Sequence, residues 1–309
     1  MRKRVVLVYN PHSSHYKKIE KRVLKPAKDL TNFSVYEFEV EKIAIEENIK
    51  ALASILKDGD LVVAIGGDGT ATMALNAILS SNRKMMCFGV LGFGNFNDVA
   101  TSIGNNDFEE LINKYGADEV HEVWPLECYL DGKLWRYGMC YFTIGMMAES
   151  CSTFEAPRIR RRLKSGGRRI WYSAWKLFGW WRKNREREFL PNEFILNQKK
   201  VKNRSDILIL NGRRMAHFIK GGPYFAKPDE IKWFSGDMRS LWGIFSFMLR
   251  SMILGMPGRY SERISVEFNE KSDVAIQGEG EMIETNIRTI EIVKSRKSVM
   301  VTGWGIGER

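Results

Sequence analysis

An α/β domain followed by a β-rich domain is the architecture this 309-residue sequence predicts, on three observations. Apolar runs alternate with helical stretches from residue 4 to about 90, as in parallel strands joined by crossover helices. Glycine turns fall directly after two of those runs, at Gly66-Gly67-Asp68-Gly69-Thr70 and at Gly92-Phe93-Gly94. Beyond about residue 118 the texture changes to short alternating runs separated by turn residues, which suggests an antiparallel sandwich carrying helical insertions. The expected domains are therefore 1–118 and 119–309, with the last strands free to return toward the first domain.

The elements follow in order. RVVLVY (4–9) is a first strand ended by Asn10-Pro11, and a basic helix spans about His15–Leu30. Ser34–Val40 and Ile43–Lys57 give the next strand and helix. Strand Leu61–Ile65, helix Thr70–Leu79, strand Lys84–Val90 and helix Asp98–Ile103 complete the alternation. Later strands are expected at Glu122–Leu130, Leu134–Phe142, Glu193–Leu196, Ile207–Leu210, Arg263–Phe268, Asp273–Gln277, Thr289–Val293 and Ser298–Thr302. Helical stretches near 157–187 and 239–256 interrupt them. Ligands on parallel sheets bind at the carboxyl ends of strands, so the Asn10, Gly66 and Gly92 turns can share one crevice.

Charge is placed unevenly. Residues 158–187 hold twelve Lys or Arg and one acid, Glu186, which accounts for the whole net charge of +11. Such a local excess calls for an anionic surface as partner. Trp171, Trp175 and Phe178 recur there at helical spacing, and Trp beside Arg and Lys suits a membrane interface. Arg160, Arg161, Arg162, Lys164, Arg168 and Arg169 are the candidate anion contacts, although a core-facing aromatic stripe with a solvated basic face has the same pattern. Cys87, Cys128, Cys140 and Cys151 lack metal-ligand spacing and fit reduced thiols. Met1-Arg-Lys-Arg runs straight into the first strand and no apolar run is long enough to span a bilayer, so a cytoplasmic protein is expected.

The Gly66–Thr70 turn is the strongest local signal. Glycines let backbone N–H groups approach an anion, and the helix that follows adds its positive end. Asp68 is placed to hold a metal or a ribose. Asn97 and Asp98 open a helix, and capping alone explains one of them. In VAIQGEGEMIE (274–284), Glu279 and Glu281 lie two residues apart on a stretch read as extended, so they are expected to point the same way and raise a pKa by repulsion.

These motifs resemble the diacylglycerol kinase family of lipid kinases, which shares GGDGT with NAD kinases. Gly89, Val90, Leu91, Gly94, Asn97, Asp98, Ala100 and Gly104 fall on the lipid-kinase pattern, and Gln277, Gly280 and Glu281 fall on its C-terminal Gln-x-Asp-Gly-Glu motif. Gly92, Asn95, Ser14 and Glu279 depart from it. The resemblance implies an NAD kinase-like nucleotide domain with a β-rich lipid-substrate domain. It implies ATP and Mg2+ as cofactors, with the nucleotide on Asn10, Ser13, Gly66, Gly67, Asp68, Gly69, Thr70, Thr72, Gly94, Asn95 and Asn97. Glu281 is then the expected base, helped by Glu279 and Asp68, with Asp98 and Asp229 near the metal. The expected function is transfer of the ATP γ-phosphate to a lipid hydroxyl, by a cytoplasmic protein that visits a membrane surface. The sequence allows a homodimer and gives little support to nucleic acid as partner. NAD kinase is one rival, and Asn192-Glu193 matches a pair seen there but without surrounding context. A catalytically impaired, nucleotide-regulated protein that binds membrane or nucleic acid is the other.

Overall fold

The computed structural model describes residues 3–302, apart from 95–96, 105–106, 152–168, 216–218 and 222–226. The first apolar run and its successors form β1 (Lys3–Tyr9), β2 (Phe33–Glu39), β3 (Leu61–Gly66), β4 (Cys87–Gly92) and the short β5 (His121–Val123). β1, β3 and β4 are almost wholly buried, as continuous Val/Ile/Leu runs in a parallel sheet must be. The crossovers are helical. α1 covers 16–27 with a π-helical stretch at Glu20–Leu24, and α2 spans Ile45–Ile55. α3 (Asp68–Ser80), α4 (Asp98–Ile103) and α5 (Phe108–Gly116) follow. The expected helix at Thr70–Leu79 thus starts two residues earlier, so Asp68 belongs to its first turn.

The second lobe is antiparallel. Its strands are β6 (Leu126–Leu130), β7 (Lys133–Gly138), β8 (Tyr141–Gly145), β9 (Glu193–Leu196), β10 (Lys199–Lys202) and β11 (Asp206–Leu210). A small separate pair, β12 (Arg214–Met215) and β13 (Ile219–Lys220), precedes β14 (Ile231–Gly236), β15 (Arg259–Ser261), β16 (Arg263–Gly278) and β17 (Glu281–Lys294). Helices α6 (Met146–Ser150), α7 (Arg169–Asn184) and α8 (Leu241–Ile253) are inserted among them. The path β15-β14-β11-β8-β16-β17-β6-β7 is one continuous sheet, because β16 runs 16 residues and pairs with β9 near its start and β8 near its end. The two runs read separately at Arg263–Phe268 and Asp273–Gln277 are therefore one strand, with a register shift between Glu267 and Ser272.

Two other runs divide instead. Glu122–Leu130 breaks at Pro125, which has no N–H to give a ladder, and its halves join different sheets. Leu134–Phe142 breaks at Met139-Cys140, and β7 and β8 take different partners. The last strand, β18 (Val299–Val301), leaves the second lobe and inserts in the first sheet between β4 and β5. The first-sheet order is β2-β1-β3-β4-β18-β5. Chain direction diverges from β1 toward β2 on one side and β3 on the other, which puts a topological switch point between the carboxyl ends of β1 and β3.

Candidate active site

Three turns meet at that edge. Tyr9 pairs with Ile65 and Gly66 with Gly92, so the chain leaves β1, β3 and β4 side by side. After β1, Asn10 accepts the His12 N–H on its side chain at 2.8 Å and the Ser13 N–H on its carbonyl at 3.0 Å. Ser13 in turn accepts the His15 N–H at 3.2 Å. Both residues therefore shape the turn. After β4, Asn97 accepts the Gly94 N–H at 2.9 Å and donates to the Gly94 carbonyl at 3.2 Å. Asn97 braces this loop and makes no side-chain cap on α4. A Cβ at Gly92 would lie 2.9 Å from the Asn97 side chain, which explains glycine there. Asn95 lies outside the described residues.

The Gly66–Thr70 turn has two kinds of glycine. A Cβ at Gly66 would sit 2.7 Å from the Thr70 hydroxyl, whereas nothing lies within 4 Å of a Cβ at Gly69. Gly67 occupies the N-cap of α3, with no side chain satisfying the first N–H groups. Gly69 thus borders open space at the positive end of a helix.

Asp68, Asp98 and Glu279 are buried carboxyls around this turn. Asp68 accepts the Val99 N–H at 3.0 Å. Burial, then the charge of Asp98, raises its pKa well above the ordinary carboxylate range. Glu279 comes from the opposite lobe, at the tip of the β16–β17 hairpin. Glu279 and Gly280 have φ of 40° and 87°, so this is a tight turn and the extended reading is corrected. A Cβ at Gly280 would lie 3.1 Å from the Gly69 nitrogen, so the tip rests on the glycine turn.

The turn separates the two acids. One Glu279 oxygen accepts the Cys140 N–H and, at 3.1 Å, the Tyr141 N–H, while the other accepts the Thr72 hydroxyl at 3.2 Å. Its pKa is pushed up to about 7, chiefly by burial. Glu281 turns instead to Arg136, whose guanidinium donates at 2.6 Å to Glu281 and at 2.9 Å to Glu46 of α2. The second Glu281 oxygen is buried without a hydrogen-bond partner. Burial raises the Glu281 pKa and Arg136 opposes the shift. Desolvation, and not mutual repulsion, perturbs both groups. Thr72, expected to touch nucleotide, is buried and bonded to Glu279.

The other residues named from the sequence lie apart from this cluster or outside the described residues. Asp229 is exposed and its charge acts on Lys294. Among the described residues no cluster of three or more His, Cys, Asp or Glu is arranged to hold a metal. Glu193 pairs with Lys200 and Lys202 across the β9–β10 hairpin, so Asn192-Glu193 contributes to a surface ladder. Arg160, Arg161, Arg162, Lys164 and Arg168, like the side chains of Arg169 and Trp171, lie outside the described residues. Trp175 is exposed, whereas Trp181 is buried and donates to the Met238 carbonyl at 3.0 Å. Arg136 and Asn76 were missed. Asn76 exchanges two hydrogen bonds with the Tyr137 backbone across the lobes. A lone arginine on an otherwise inward-facing strand segment (Arg136-Tyr137-Gly138) was the available signal.

A parallel sheet with a glycine turn at its switch point, closed by an antiparallel lobe, defines a diacylglycerol kinase-type fold. Structures of a Bacillus anthracis str. Sterne protein described as a diacylglycerol kinase match with TM-scores of 0.66 and 0.59, at 15% identity. Each match covers 98% of this chain and 97% of the other. Residues 4–127 match the family model of the diacylglycerol kinase catalytic domain. Curated diacylglycerol kinases from two strains of Staphylococcus epidermidis are 35% identical over 107 residues. That match spans 33% of this chain and only 32% of the length of those relatives.

Proposed function

We propose that the protein is an ATP- and Mg2+-dependent kinase that phosphorylates a lipid hydroxyl. The observation that carries this reading is the meeting of the second-lobe hairpin tip with the Gly66–Thr70 turn, which brings Glu279 and Asp68 together between the lobes. Phosphoryl transfer depends mainly on positioning and charge neutralisation. The N-terminal N–H groups of α3 and the open face of Gly69 receive phosphate oxygens. Asp68 and Asp98 repel each other in a buried site, the electrostatic condition a hard cation relieves, and they are the residues that would hold Mg2+. Bound there, the ion neutralises phosphate charge.

Glu281 is the proposed base. Arg136 fixes one of its oxygens and leaves the other buried and unpartnered, ready to accept the proton of an acceptor hydroxyl. Glu279 has its oxygens engaged, so it acts as the latch between lobes. The test is labelled-ATP transfer to a panel of lipid vesicles, with NAD as rival acceptor. Transfer to lipid is expected, with loss of at least 100-fold in Asp68→Ala and Glu281→Gln. Transfer to NAD alone, or wild-type turnover in Asp68→Ala, overturns the reading. Nucleotide binding without any transfer favours the impaired alternative, to which the Ser14 and Glu279 departures point.

A further inference from the structure

The sequence placed membrane contact on the basic stretch 158–187, but the largest exposed apolar surface among the described residues is elsewhere. Helix α8 exposes Leu241, Trp242, Phe245, Leu249 and Ile253, and Leu254 continues the row. Trp242 is 76% and Leu254 78% exposed. Positions 242, 245, 249 and 253 follow helical spacing, so they form a single stripe. The opposite face, with Ile244, Phe247, Met248 and Ser251, is buried or half-buried, and Phe247 packs on Phe234 at 4.8 Å between ring centroids. The helix is thus already anchored, and its outer stripe is surplus to the core. Water-exposed stripes of this size mark interaction surfaces.

We propose that this face of α8 is a bilayer-docking surface that inserts its aromatic and aliphatic side chains at the headgroup level of an anionic membrane. Three observations select a bilayer. Of the three arginines from 238 to 261, Arg239 is paired with Asp237, whereas Arg250 within α8 and Arg259 shortly after it are exposed. Basic side chains around Trp, Phe and Leu are the composition of an interfacial helix. The helix has 13 residues, about 20 Å long at 1.5 Å per residue, too short for a ~30 Å hydrocarbon core. On this proposal it lies in the interface plane and does not cross. Finally, Trp181 of α7 bonds to Met238 just before α8, and α7 ends on the exposed Arg182 and Lys183, which extends the basic rim.

A chain of packed elements joins this surface to Asp98. α8 packs on β13, β13 pairs with β12, and β12 lies against α4, whose first residue is Asp98. This deepens the kinase reading by naming where a membrane-held acceptor is met, and it rests on that reading only for its purpose. The docking itself is measured without substrate.

The test is co-sedimentation with phosphatidylcholine vesicles containing or lacking phosphatidylglycerol, using the full chain and Trp242→Ser/Phe245→Ser/Leu249→Ser. All three side chains are exposed, so thermal melting of the variant should match the wild type. Binding of the wild type to anionic vesicles, falling at least tenfold in the variant and in high salt, is expected. Absence of wild-type binding, or equal binding by both proteins, overturns the proposal. A wild-type dimer that becomes a monomer in the variant by light scattering, without a change in vesicle binding, overturns it in favour of a chain–chain contact. Phosphate transfer is then measured on a detergent-dispersed short-chain diacylglycerol. Transfer by a wild type that does not bind vesicles removes the docking proposal alone, and vesicle binding without transfer removes the kinase reading alone.

Discussion

At the scale of single residues, burial sets the electrostatics. Asp206, at the start of β11, is fully buried and accepts the Met147 N–H at 2.6 Å and the Ser205 hydroxyl at 2.5 Å. Burial, opposed by those bonds, lifts its pKa from 3.8 to about 7, while Asp237 and Arg239 face it with opposing effects. Between those values the folded chain keeps a proton that the unfolded chain has released, so this group's contribution to stability falls as pH rises from about 4 to 7. Asp206→Asn keeps the acceptor for Met147 and removes the charge. It gives up the acceptor of the Ser205 hydroxyl at every pH, so its stability relative to the wild type should be more favourable at pH 8 than at pH 5. Denaturant melts at both values check this, and an equal shift at each would contradict it. The glutamate pair shows why residues were only half legible. The motif located both acids but read their stretch as extended, because a non-glycine residue with φ of 40° is not announced by Glu-Gly as it is by Asn-Gly. Their separation followed from that one dihedral.

At the scale of elements, β3, its turn and α3 were readable because each part has a distinct local cause: a buried apolar run, glycine freedom and a helix former series. The turn also yields a paired prediction. Gly66→Ala forces a methyl against Thr70 and should cost roughly 1–3 kcal/mol. Gly69→Ala meets nothing and lies inside α3, so its melting temperature should equal or exceed the wild type. If phosphate sits on Gly69, that stable variant should still bind ATP at least tenfold more weakly by calorimetry. Unchanged affinity would move the nucleotide off this turn. Strands read wrongly failed for a shared reason: alternation reports which face is buried but not which sheet is joined. Pro125 could split 122–130, yet nothing local said that its halves would serve two sheets.

At the scale of the whole molecule, the lobes are fastened by polar groups from both sides. Asn76, Thr72 and Glu46 of the first lobe meet Tyr137, Glu279 and Arg136 of the second. Arg136 is 4% exposed on its side chain, whereas Glu46 is 59% exposed. Arg136→Ala strands the half-buried Glu281 and should cost about 3 kcal/mol, while Glu46→Ala should cost under about 1 kcal/mol, as for an exposed partner. Chemical denaturation of the two variants separates these cases, and similar losses would show that the arginine is not a clamp. This fastening was invisible in the sequence because each pair joins positions far apart in the chain.

The insertion of Val299–Val301 beside Cys87–Phe88 carries a consequence for biogenesis. A nascent polypeptide lacking its closing segment has a raw edge at Cys87–Phe88, and open ladder groups of that kind template intermolecular pairing. Synthesis must reach residue 301 before Cys87 and Phe88 gain this partner, so the first sheet is completed only after the second lobe has been made.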